Sequence, residues 1–153
     1  MTILDALILS LPARDSTVRM RAWRALKDAG CGVLRDGVYV LPASEAASAA
    51  LGQVETGIRS SGGFAMRVEL HLKTDAQREL LRGLFDRSRE YAELLDQIKA
   101  ARASLRRLGP RKAKTRLDRM QREAERLAAI DFFPGAAKPR AADAMASLQR
   151  DYK

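Results

Sequence analysis

Between Arg102 and Arg122 the chain carries nine basic side chains, Arg102, Arg106, Arg107, Arg111, Lys112, Lys114, Arg116, Arg119 and Arg122, against the single acid Asp118. The whole chain has a net charge of +9, so its basic character is local. Guanidinium and ammonium groups gathered in this way neutralise and hydrogen-bond phosphate, and the chemistry they suit is the binding of a polyanion. A merely solvated helix interleaves both signs, whereas here the acids are grouped apart, at Asp86, Glu90, Glu93 and Asp96 and at Glu123 and Glu125. The chain has no Asn, and its Gln residues form no recognition surface, so phosphate contact rather than base reading is expected.

A second basic set, Arg19, Arg21, Arg24 and Lys27 with Arg35, has two readings: a solvated helix face partnered by Asp28 and Asp36, or a further DNA or oxyanion surface. Trp23 lies inside an amphipathic pattern and reads as a core or contact residue rather than a stacking platform. The single His71 has no Cys or second His at ligand spacing, so no metal site is expected. One His also precludes assembling a Ser-His-Asp or Cys-His set, and no Gly-rich phosphate loop is present; no catalytic residue, cofactor or enzymatic activity is expected. The single Cys31 rules out an intramolecular disulfide, fits a reducing cytoplasm and reads as a small buried residue.

These groups must be positioned by a modest chain of 153 residues, enough for one domain and an appendage. Ile3 to Leu11 is an apolar run that reads as a buried first strand; it lacks the basic start of a signal peptide, and no run approaches the ~20 apolar residues of a membrane span. Asp15-Ser16-Thr17 offers cap chemistry for a helix from Val18 to Ala29, closed by Gly30. Cys31–Leu34 and Val38–Leu41 flank Arg35-Asp36-Gly37, a hairpin turn. Ser44–Ser60 reads as a second helix with Ala47, Leu51, Val54 and Ile58 on one face, and Phe64–Leu72 as a fourth strand. The order β-α-β-β-α-β predicts an α+β, ferredoxin-like domain over residues 1–73.

From Asp75 the periodicity is helical. A continuous helix to Leu108, ~1.5 Å per residue and so roughly 50 Å long, is expected to turn at Gly109-Pro110 into a second helix bearing Leu117, Met120, Ala124 and Leu127. Residues 74–130 thus read as a basic antiparallel helical hairpin whose tip stands free. Residues 131–153 read as an aromatic turn, with Phe132 and Phe133 docking a C-terminal helix (Arg140–Tyr152) back on the domain.

Three stretches carry a resemblance: Thr17-Val-Arg-Met-Arg-Ala-Trp-Arg-Ala-Leu-Lys27 with Leu34-Arg-Asp-Gly-Val-Tyr-Val-Leu-Pro42; Leu84-Phe-Asp-Arg-Ser-Arg-Glu-Tyr-Ala-Glu-Leu-Leu95; and Ile130-Asp-Phe-Phe-Pro-Gly135. Together they resemble the N-terminal region of ChrB, the chromate-resistance family of transcriptional regulators, over nearly the whole chain. The first stretch also resembles the middle domain of PaaX-type repressors and, more distantly, the ferredoxin-like nucleases of CRISPR adaptation. The resemblance implies a non-enzymatic, cytoplasmic DNA-binding regulator, a homodimer, with chromate or another oxyanion as effector. Full-length ChrB proteins carry a further C-terminal domain, so this chain reads as a stand-alone paralogue or a truncated form, and the sensing done by that domain is not carried over. Two alternatives stay open. In a metal-dependent nuclease, the family's strand-end aspartate would be replaced by Ser10, leaving Asp15 as the nearest carboxylate. In a protein-interaction module, the hairpin would be a coiled-coil seam through Leu95 and Ile98.

Overall fold

The structure is a computed structural model that describes residues 3–12, 14 and 16–152. Its elements run β1 (Ile3–Ser10), α1 (Ser16–Asp28), β2 (Gly32–Arg35), β3 (Val38–Pro42), α2 (Glu45–Ser60), β4 (Phe64–His71), α3 (Asp75–Gly83), α4 (Ser88–Ser104), a 3-10 turn (Leu105–Arg107), α5 (Pro110–Ala129) and α6 (Ala137–Tyr152). The fold is α+β, as expected, with a four-stranded antiparallel sheet in the order β2-β3-β1-β4. The chain divides into two compact units, residues 1–85 and 86–153.

In the first unit β1 lies inside the sheet, paired with β4 from Ile3–His71 to Ser10–Phe64 and with β3 from Leu4–Pro42 to Ile8–Val38. An inner strand covered on both faces needs consecutive apolar residues, and Leu4, Ala6 and Leu7 are all at most 1% exposed. The turn between β2 and β3 requires Gly37, whose φ is 78°. A Cβ there would lie 2.6 Å from the Leu9 carbonyl oxygen, and the Leu9 amide donates to the Gly37 carbonyl at 2.8 Å, so the turn is stapled to β1. The expected inward face of α2 is the observed one, Ala47, Leu51, Val54 and Ile58 being buried, and Ser44 caps the helix by accepting from the Ala47 amide at 2.9 Å. This helix packs against α1, β1 and β4.

The continuous helix expected from Asp75 to Leu108 is broken after Gly83. Phe85 leaves the helical path and is 1% exposed in the first unit. Gly32 makes room for it: a Cβ on that residue would sit 2.9 Å from the Leu84 Cβ and 3.4 Å from the Phe85 ring. The next helix is then restarted locally. Asp86 accepts from the Ser88 amide at 3.0 Å and its hydroxyl at 2.5 Å, satisfying a free donor of the first turn of α4. The buried residues on either side of the break therefore belong to separate faces, Leu81 and Phe85 to the first unit and Tyr91, Leu94 and Ile98 to the second. Consequently the units meet at Phe85/Asp86, twelve residues beyond the boundary read from sequence.

The second unit is a helical core of Tyr91, Leu94, Ile98, Ala101 and Leu105 with Ala113, Met120 and Leu127 of α5 and Ala141, Met145 and Leu148 of α6. The terminal segment, read as returning to the first domain, thus contributes three residues to this core, and α6 packs against both α4 and α5. The turn at Gly109 does not stand free as expected, since Leu105 (1% exposed) and Ala113 (0%) are covered on either side of it. Its chemistry is as read: Gly109 precedes α5 and Pro110 takes the first position, where its missing amide costs nothing.

Candidate nucleic-acid interface

The buried residues of α5, Ala113, Met120 and Leu127, recur at helical spacing and fix which residues face outward. At 100° per residue, Arg111 and Arg122 point away from that apolar stripe, with Lys112, Lys114 and Arg119 on its flanks. Eight of the nine cations read from sequence are exposed, and Arg116 is half-buried.

Three of the nine are engaged inside the unit. Arg102 pairs with Asp151 and its second amino group donates to Ser147 Oγ at 3.3 Å, tying the end of α4 to α6. Arg116 donates to Ser104 Oγ at 2.6 Å, tying α5 to α4. Lys114 meets Asp118 at 2.7 Å along α5, an exposed pair that contributes little to stability. The other six, Arg106, Arg107, Arg111, Lys112, Arg119 and Arg122, have no hydrogen-bond or ion-pair partner among the described residues. These free, solvated charges gather on the 3-10 turn and the outer face of α5.

The far end of the unit is held by a polar lock that sequence reasoning missed. Tyr91 of α4 donates its hydroxyl to Asp131 Oδ2 at 2.9 Å, and the Arg87 guanidinium donates to the Ile130 carbonyl at 3.3 Å. Burial, and then the hydrogen bond to Asp131, push the Tyr91 phenol well above the ordinary tyrosine range. At Asp86 the Ser88 hydroxyl, and then the Ser88 amide, hold the carboxyl below its ordinary value of 3.8. The Ile130-Asp131 pair was visible as part of a motif, but nothing local announced that its carboxylate would meet a tyrosine 40 residues away.

The second basic set is arranged differently. Arg19, Arg21, Arg24, Lys27 and Arg35 are all exposed. Arg19 lines an open groove of about 560 Å³ with Met20, Trp23, Asp36 and Tyr39, whereas Arg21 lines a different groove between α1 and α2. Lys27 lies over the Trp23 ring, 4.9 Å from its centre. The α1 cations are thus spread around the helix rather than aimed at one point. Trp23 is 47% exposed, which excludes the core and leaves the contact among the two places its pattern suggested.

Of the residues the other readings would use, Ser10 is exposed at the end of β1, and Asp15 lies outside the described residues. Ile98 is 3% exposed within the helical core of its own unit, and Leu95 is partly covered. Cys31 is half-buried. Among the described residues no helix is long and apolar enough to cross a membrane.

Comparison with known proteins agrees with the resemblance seen in the sequence. Residues 19–152 match the family described as Protein ChrB, N-terminal. Over 135 residues the chain is 36% identical to Protein ChrB of Cupriavidus metallidurans, a match that takes in 88% of this chain and 42% of that protein. The chain therefore spans less than half the length of this relative. The match runs from α1 through β4, the Asp86 junction, the basic turn and the Tyr91–Asp131 lock into α6, and on it the chain belongs to the ChrB N-terminal family.

Proposed function

We propose that the chain is a ChrB-type transcriptional regulator linked to chromate resistance: a cytoplasmic, non-enzymatic homodimer that grips DNA through the α4–α5 turn. The observation that carries this reading is the group of six exposed cations without partners, fixed on a packed helical core instead of a flexible tail. In this reading the first unit is a ferredoxin-like platform, α4 and α5 form the antiparallel hairpin, and the α1 cations supply a second phosphate surface. Arg111, Arg119 and Arg122 contact phosphates, which fix orientation without specifying sequence. Chromate, a dianion, is the effector that would compete for guanidinium groups.

Binding to DNA from the gene's own neighbourhood and to unrelated DNA is measured across a salt series, with and without chromate. The expected outcome is a steep fall in affinity with salt, preference for the native fragment and release by chromate. Replacing Arg111, Arg119 or Arg122 singly by Gln should lower the slope of log affinity against log salt by about 1 each, equally on both DNAs. Equal affinity for both fragments would reduce the reading to a polyanion-binding module. Absence of binding at moderate salt would overturn it, and cleavage dependent on Mg²⁺ or Mn²⁺ would replace it with the nuclease.

A further inference from the structure

Strand β4 forms one edge of the sheet, and the two halves of its outer side differ. Bonding alternates along an antiparallel pair. The Leu9 amide points to the β2–β3 turn, so β1 uses the intervening residues toward β4, and Ala65, Arg67, Glu69 and His71 turn their backbone groups outward. At Ala65 and Arg67 two of these groups are already taken by side chains of α2. Arg59 Nε donates to the Ala65 carbonyl at 3.0 Å, and the Arg67 amide donates to Glu55 Oε2 at 3.0 Å. Glu55 is held there by the Arg67 and Arg59 guanidiniums at 3.4 and 3.7 Å. The two α2 side chains form a clasp over the strand. The Glu69 and His71 side chains meet each other along the strand, Oε2 to Nε2 at 3.3 Å, but no side chain covers their outward backbone groups among the described residues, so across a two-fold axis the same acid and base can also face the partner's.

We infer that the open half of this edge is where a second copy of the chain docks, β4 against β4, antiparallel about a two-fold axis at Leu70. A two-fold interface must be self-complementary. Pairing about Leu70 satisfies that requirement: it sets Leu70 against the partner's Leu70, and it sets Glu69 against the partner's His71, an acid facing a base on both sides of the axis. The backbone groups of Glu69 and His71 then bond across the new ladder. A slip of the axis to Val68 would give a longer ladder, but it needs the Ala65 carbonyl and the Arg67 amide of both copies. The clasp therefore selects the register. This deepens the homodimer of the proposed regulator and is tested without DNA, so its failure leaves the DNA reading standing, and loss of DNA binding leaves this interface intact.

The test is disulfide trapping in the full chain with Cys31→Ser. In a pair that does not exchange hydrogen bonds the facing Cα atoms lie ~4.5 Å apart, within the ~4.4–6.8 Å that a disulfide spans. Leu70→Cys should form a covalent dimer under mild oxidation. Val68→Cys should not, because in this register the two Val68 residues are four positions apart along the strands, ~13 Å at ~3.3 Å per residue. Removing the clasp with Glu55→Ala and Arg59→Ala should make Val68→Cys cross-link. Failure of Leu70→Cys in a protein that keeps the native circular dichroism spectrum overturns the proposal. Equal cross-linking of Val68→Cys with the clasp intact overturns the register.

Discussion

Tyr91 and Asp131 show most directly how a single contact holds the helical unit. The phenol is 3% exposed and is the one described donor to the Asp131 carboxylate. Tyr91→Phe keeps the ring in the core but leaves Asp131 without that donor, so the loss should be ~1–3 kcal/mol, the cost of an unsatisfied buried acceptor. In a unit of this size each kcal/mol lowers the melting temperature by about 4–8 °C, and thermal unfolding followed by far-UV circular dichroism reads the shift. The sign of the pH dependence follows from the raised phenol. Its contribution is complete below the unfolded tyrosine value near ~10 and declines as the pH rises above it, because only the unfolded chain then releases the proton. The wild type should therefore lose stability above that pH more steeply than Tyr91→Phe; parallel curves would show that the hydroxyl does not hold the unit. At the same scale, the cations were legible because charge density needs no tertiary knowledge, while the half-exposed Trp23 was not. The spacing of α1 marks Ala22 and Leu26 as inward but leaves a flanking ring free to stay at the surface.

The junction between α3 and α4 belongs to the scale of elements. A single Gly83 costs a helix only ~1 kcal/mol and does not by itself stop one, so the periodic sequence from Asp75 onward read as continuous. The break is set from outside, by the space that Gly32 opens for Leu84 and Phe85 on the other side of the chain. Gly32→Ala should cost ~1–3 kcal/mol by overpacking. The Cβ it would meet is attached directly to the Leu84 backbone and has no rotamer by which to withdraw. A urea midpoint followed by Trp23 fluorescence measures this, since the only tryptophan lies in the first unit. An unchanged midpoint would mean that Phe85 is not anchored by that contact. By contrast the caps and turns were legible. Ser44, Gly37 and Pro110 each answer a local backbone need, and each lies where that need places it.

For the whole molecule, the C-terminal helix reads from sequence as docking back on the first domain, whereas α6 packs against α4 and α5, and that packing gives the basic turn its foundation. Ala141, Met145 and Leu148 complete the core that carries Leu105 and Ala113 on either side of the turn. Met145→Ala, at a site 2% exposed, should destabilise the second unit by ~2–5 kcal/mol. Because the tryptophan lies in the first unit and the longer share of the helix in the second, the two can be watched separately: the helical signal should become biphasic, its larger part melting earlier, while Trp23 fluorescence changes at its original temperature. DNA affinity should fall at temperatures where the helical unit has begun to unfold and match the wild type below them, since no phosphate-contacting cation has been altered. A coincident shift of both signals would show that the units unfold as one. Unaltered DNA binding with the helical unit unfolded would mean that the cations act as a flexible basic segment, and the packed core would then have no part in recognition.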